Sequence, residues 1–230
     1  MSVTDAPTNQ PGTNDPGTND PAPLVQHDGA PAPEHGPAEG HATSTGLSNE
    51  KLGMWVFLGS ECLLFGGLIS TFLLLRSKDV VDQVGPGVAD LYDIPFTSVS
   101  SFVLLTSSLT MVLALAAAQR DDQQRLRTWL VATALLGSTF VAGQVYEFTA
   151  FVREGFGFTT NLQSSAFYVL TGFHGVHVTI GILMLMSLFV MSARGSLTRQ
   201  RSETVEVVGL YWHFVDVVWI IIFTVVYLIT

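Results

Sequence analysis

Five long apolar runs divide the chain, at about 51–76, 94–119, 127–151, 163–192 and 204–230. Each reaches the roughly 20 residues that a helix needs to cross a hydrocarbon core of about 30 Å. Lipid offers no hydrogen bonds to unpaired backbone, so a segment that crosses it must be a helix or part of a closed barrel. Runs of this length are far longer than strands, and the predicted fold is all-α, an integral membrane bundle of five helices. The connections are short, so neighbouring helices run antiparallel. Charged residues make up 13% of the 230, about half the share usual in a soluble domain.

Residues 1–46 have a different composition. They are rich in Pro, Gly, Thr, Asn and Asp, and PGTND occurs at Pro11–Asp15 and again at Pro16–Asp20. Nothing there can bury a core, so this segment is read as a disordered low-complexity tail preceding a membrane domain over 47–230. It has no basic start followed by an apolar centre, so it does not read as a signal peptide. His27, His35 and His41 lie in it and read as solvated. Seven of the nineteen acidic residues and none of the ten basic ones fall in the first fifty positions. The net charge of −9 is therefore partly a property of the tail. No nucleic-acid partner is expected.

Orientation follows from the placement of Lys and Arg. Lys51, Arg120, Arg125, Arg127, Arg194, Arg199 and Arg201 fall on the side of the N-terminus, against Arg76, Lys78 and Arg153 on the other. Seven against three predicts a cytoplasmic N-terminus and a C-terminus outside. The opposite side also holds Asp79, Asp82, Asp90 and Asp93, read as a solvated loop.

The spans contain ionisable residues, which are costly in lipid and call for partners. Glu61 lies roughly 15 Å beyond Lys51 along its helix, near mid-membrane. His174 and His177 share one helical face, as do His213 and Asp216. Glu147 stands near the outer end of the third run, either as an interfacial carboxylate or facing the bundle. Small residues at Gly59, Cys62, Gly66 and Ser70, and Gly172 and Gly175 beside the histidines, suit close helix packing. Hydroxyls at Ser100 and Ser107, and at Ser101 and Ser108, repeat at seven and mark a helix contact. Trp212 and Trp219 flank His213 and Asp216, and Tyr211 fits an interfacial belt. The expectation is one polar layer of Glu61, His174, His177, His213 and Asp216, with Glu61 paired to a histidine of the fourth run. Three uses remain open for such a layer. It can hold a metal; it can carry protons or ions; or it can fix helix packing and hold a lipid headgroup.

The motifs KLGMWVFLGSE, LLTSS, GQVYEF, FYVLTGFHGVHV and YWHFVDVVW occur in the order found in subunit III of heme–copper oxidases. From about Lys51 to Thr230 the chain resembles that family, which includes cytochrome c oxidase subunit III. The resemblance implies a subunit without catalytic residues, metal, heme or copper of its own. Heme and copper would reside in partner subunits, with oxygen chemistry and proton pumping in subunit I. It implies packing against subunits I and II, bound membrane phospholipid, sustained proton uptake and protection from turnover inactivation. It further implies the plasma membrane of a bacterium and a possible respiratory supercomplex. Glu61, the His174–His177 pair, the His213–Asp216 pair and Glu147 match the family's buried polar motifs, with Phe148 where the family has tyrosine. Many members have seven spans; the five here would be the last five, as in shorter bacterial members. A quinol oxidase has a similar subunit III, with donor identity set by subunit II. The small subunit of nitric oxide reductase systems is a further relative.

Overall fold

The computed structural model describes residues 48–82, 94–155, 157–160, 162–197 and 201–229, with the backbone alone for 77–82. The tail with His27, His35 and His41, and the loop residues Asp90 and Asp93, lie outside the described residues; so does the side chain of Asp79 or Asp82. Five α-helices follow in order: α1 Asn49–Asp82, α2 Ile94–Gln119, α3 Gln123–Arg153, α4 Leu162–Ala193 and α5 Ser202–Phe223. A π-helical turn, Thr224–Leu228, extends α5. All five are long and apolar enough to cross a membrane, and among the described residues there is no strand.

The connections explain why the helices stop where they do. Between α2 and α3, Asp121 adopts a positive φ of 58°, and Asp122 caps α3 by accepting from the Arg125 backbone N–H. This conformation is tolerated best by Asp, Asn and Gly. At the end of α4, Gly195 has φ 71°. The Ser196 N–H donates to the Met191 carbonyl and the Gly195 N–H to that of Ser192. That is the left-handed closure that glycine permits after a helix.

α5 packs against α1, α2 and α4, and α2 and α3 form the most extensive pair. α1 touches mainly α4 and α5, and its span is the least enclosed, 17% buried against 33–44% for the others. Its inward stripe is Lys51, Met54, Leu58, Glu61, Phe65, Leu68, Phe72 and Leu75, alternately three and four residues apart. This is the seam of a left-handed coiled-coil contact. Glu61 sits on that seam in place of an apolar residue.

The small residues of α1 lie elsewhere. A Cβ on Gly59 or Gly66 would meet nothing within 4 Å, Cys62 is exposed, and the exposed Ser70 donates only to the Gly66 carbonyl of its own helix. Among the described residues they mediate no helix packing, because the heptad seam turns them outward. Gly172 and Gly175 likewise have nothing within 4 Å; they line an apolar groove of about 320 Å³ between α3 and α4. The close approaches are at Gly137 of α3 and Gly181 of α4, where a Cβ would lie 2.6 Å and 2.8 Å from the Trp212 indole. Trp212 is thus the wedge that α3 and α4 shape themselves around.

Both ends of the bundle are tied across helices. Lys51 pairs with Glu206 at 3.0 Å and lies 3.8 Å from Glu203, joining the starts of α1 and α5. Arg127 of α3 donates to the Ser192 hydroxyl (3.1 Å) and carbonyl (2.5 Å) at the end of α4. At the other end, Arg76 donates to the Val225 carbonyl in the π-helical turn at 3.4 Å.

Candidate functional site

The ionisable residues within the spans do not form one layer. They fall into separate groups, each set by the face its helix presents. Among the described residues no three His, Cys, Asp or Glu side chains gather as a metal would need.

The first group joins α1 to α4. His177 Nε2 lies 3.1 Å from Glu61 Oε2, and both side chains are largely enclosed, 11% and 15% exposed. His177 Nδ1 is 2.8 Å from the Phe173 carbonyl. A carbonyl only accepts, so Nδ1 carries a hydrogen. The contact with Glu61 then needs one further proton, either on Nε2 or on the carboxyl group. An imidazolium–carboxylate pair and a neutral pair with the carboxyl donating both satisfy it. Glu61 therefore meets a histidine of the fourth span, and that histidine is His177. The carbonyl of His177 accepts from the buried Tyr211 hydroxyl at 3.0 Å. Tyr211, 1% exposed, belongs to the core and not to an interfacial belt, because its position on α5 faces α4.

His174, one turn earlier, is fully buried and stacks on Trp219 with ring centroids 4.9 Å apart and planes 25° apart. Phe140 and Phe65 meet it edge-on. Among the described residues neither ring nitrogen has a hydrogen-bond partner. His174 is therefore placed in an aromatic box, apart from the Glu61 contact.

The second group joins α2 to α5. Ser108 is hydrogen-bonded to Asp216 Oδ2, and His213 Nδ1 lies 3.1 Å from the same Ser108 hydroxyl. The indole N–H of Trp212 donates to Ser107 at 3.0 Å and that of Trp219 to Ser101 at 2.8 Å. Two serines six residues apart thus meet tryptophans seven residues apart. This is the geometry of two helices in register, with hydroxyls satisfying buried indoles. Ser100 stands apart from this contact, its hydroxyl near Gly143 of α3.

The third group closes the end of the bundle that holds the α3–α4 connection. Glu147 is 5% exposed and faces the bundle. Its Oε1 accepts from Thr97 of α2 at 3.0 Å and from the Tyr227 hydroxyl at 2.9 Å; Oε2 accepts from Gln144 at 3.3 Å. Tyr227 lies in the π-helical turn, and widened turns of this kind often mark functional positions. Sequence reasoning did not single out Thr97, Tyr227, Gly137 or Gly181. The signals available were a hydroxyl at the start of α2 and small residues at matching depths on two helices.

The comparisons agree with the motif order. The family model for cytochrome c oxidase subunit III matches residues 33–230, which reaches further toward the N-terminus than the motifs themselves. The cytochrome c oxidase subunit 3 of Bacillus sp. (strain PS3) is 42% identical over 190 residues, covering 83% of this chain and 90% of that protein. That of Thermostichus vulcanus is 39% identical, covering 78% of this chain and 87% of that protein. A probable quinol oxidase subunit 3 of Staphylococcus saprophyticus is also 39% identical, with 78% and 88% covered. Five membrane-spanning helices, the two histidine motifs on α4 and α5, and matches over nearly the whole helical part lead to one assignment: this membrane protein belongs to the cytochrome c oxidase subunit III family.

Proposed function

We propose that the chain is the non-catalytic subunit III of a proton-pumping cytochrome c oxidase in a bacterial plasma membrane, its N-terminus cytoplasmic. It transfers no electrons itself. Subunit I, with subunit II, carries the heme and copper that reduce oxygen, and this chain packs beside them with bound phospholipid and sustains proton uptake. The observation that carries this reading is how the buried polar groups are used. Glu61, Ser108, Glu147 and Asp216 each bond to another helix of the same bundle, while the outward face of α1 has small residues and no neighbour among the described residues. A bundle locked internally, with one helix presenting a smooth face, suits a supporting subunit whose α1 docks on a larger membrane partner.

The relative named as a quinol oxidase subunit supports a second reading in which the donor is a quinol. Purification of the native complex separates the two. Rapid oxidation of reduced cytochrome c supports the first reading, and oxidation of quinol alone the second. A complex without heme overturns both.

A further inference from the structure

His213, one member of the Ser108–His213–Asp216 group, lines a cavity that the supporting role leaves unexplained. The cavity measures about 190 Å³ and lies among Lys51 and Trp55 of α1, Met111 and Leu115 of α2, and Leu210 and His213 of α5. One end of it is lined by Lys51 and Glu206, which form their ion pair at the start of α1 and α5. His213 lines it roughly 10 Å deeper along α5 than Glu206. We propose that this cavity is a water-filled inlet and that His213, Ser108 and Asp216 form a proton relay at its end, with Asp216 as the buried acceptor.

The hydrogen-bond chemistry allows only a few arrangements. With Asp216 ionised, its Oδ2 only accepts, so the Ser108 hydroxyl donates to it. The serine has no second hydrogen, so His213 Nδ1–H must donate to the serine oxygen. That leaves Nε2 as a bare acceptor, and it makes no hydrogen bond among the described residues. A proton delivered from hydronium to Nε2 is followed by transfer of the Nδ1 hydrogen to Ser108 and of the serine hydrogen to Asp216. One hydronium becomes water, one carboxylate becomes a carboxylic acid, and His213 ends neutral with its hydrogen on Nε2. Reversing the steps releases the proton.

Two further observations favour this use. Asp216 Oδ1 is buried and has no partner among the described residues, so the ionised form is poorly compensated and a proton relieves it. An acyl chain beside His213 would give Nε2 no partner, whereas water can pair with it, and the volume far exceeds the roughly 15 Å³ one water needs. The charged and titratable groups around His213 are Lys51 from α1 and Glu206 and Asp216 from α5; α2 contributes Ser108 and apolar walls. The inlet does not depend on which donor feeds the oxidase.

The test follows the carboxylic C=O stretch of protonated Asp216 by infrared spectroscopy of the intact complex in lipid, assigned by its loss in Asp216→Asn. On transfer to deuterated water the band shifts promptly in the native protein. His213→Phe and Ser108→Ala slow that shift on the order of 100-fold, the scale of a positioned proton carrier. Absence of an Asp216 band at any pH, or equal exchange in both variants, overturns the proposal. Cysteine labelling checks the inlet without altering the relay. In a Cys62→Ser background, Leu210→Cys reacts with a charged water-soluble thiol reagent far faster than Leu183→Cys on the outward face of α4. Equal rates mean a dry cavity and overturn the inlet.

Discussion

Replacing Gly181 by Ala tests the wedge at Trp212. The added methyl would lie 2.8 Å from Cε3 and from Cζ3 of the indole and 3.3 Å from Tyr211 Cε1. The indole has nowhere to withdraw. On its far side a Cβ at Gly137 would already lie 2.6 Å from Cη2, and its N–H is held by Ser107 at 3.0 Å. Overpacking of this kind costs about 1–3 kcal/mol, against which Ala gains about 1 kcal/mol over Gly in helix propensity. The net expectation is a loss of up to about 2 kcal/mol for Gly181→Ala. Gly59→Ala gains the propensity with no clash, since nothing lies within 4 Å. Unfolding of the chain by titration with a denaturing detergent, followed by circular dichroism, ranks the variants. The account predicts Gly59→Ala at or above the native midpoint and Gly181→Ala below it. Equal midpoints for the two, or the opposite order, refute the packing argument.

Other expectations follow from single contacts. Ser101→Ala leaves the buried Trp219 indole N–H without its acceptor, and the same titration should show a loss of about 1–3 kcal/mol. Tyr227→Phe removes one donor to Glu147; a loss of about 1–3 kcal/mol is expected, with unchanged stability counting against the three-helix clasp. Lys51→Met breaks an ion pair whose members are 28% and 46% exposed, so stability should move by less than about 1 kcal/mol. Glu61→Gln keeps a polar contact to His177 but removes the carboxyl group from the shared proton. In the assembled oxidase, sustained turnover should decay faster while the initial rate stays near native; identical decay curves would reject a role for the pair in sustaining turnover.

The helices were legible because lipid leaves the backbone so few choices. Apolar runs and charge-bearing ends set the bounds at Asn49, Gln119, Arg153 and Ala193 to within two residues, whereas α1 runs on to Asp82, six past the expected end, and α3 begins at Gln123, four before the expected start. The pairing of Glu61 with the fourth span was legible for a related reason: a carboxyl group at that depth has few possible partners. What stayed hidden was direction around each helix axis. In a helix apolar on all sides, periodicity barely separates the face toward lipid from the face toward protein. Gly59, Gly66, Gly172 and Gly175 therefore looked like packing positions but lie open, whereas Gly137 and Gly181 carry the close contacts. The three-four spacing from Lys51 to Leu75 was the available signal for α1. It places Glu61 inward and the glycines outward. Grouping the ionisable residues by depth alone merged His174 and the His213–Asp216 pair into a single layer. Rotation about α4 and α5 sends them to different neighbours.

The most direct measurement is spectroscopy and metal analysis of the complex purified through this chain in mild detergent. The account predicts that heme and copper co-purify with it. Stripping this chain away should leave both on the partner subunits and none on the isolated bundle. A chain that purifies alone, or one that retains a stoichiometric metal or heme after separation, would contradict it.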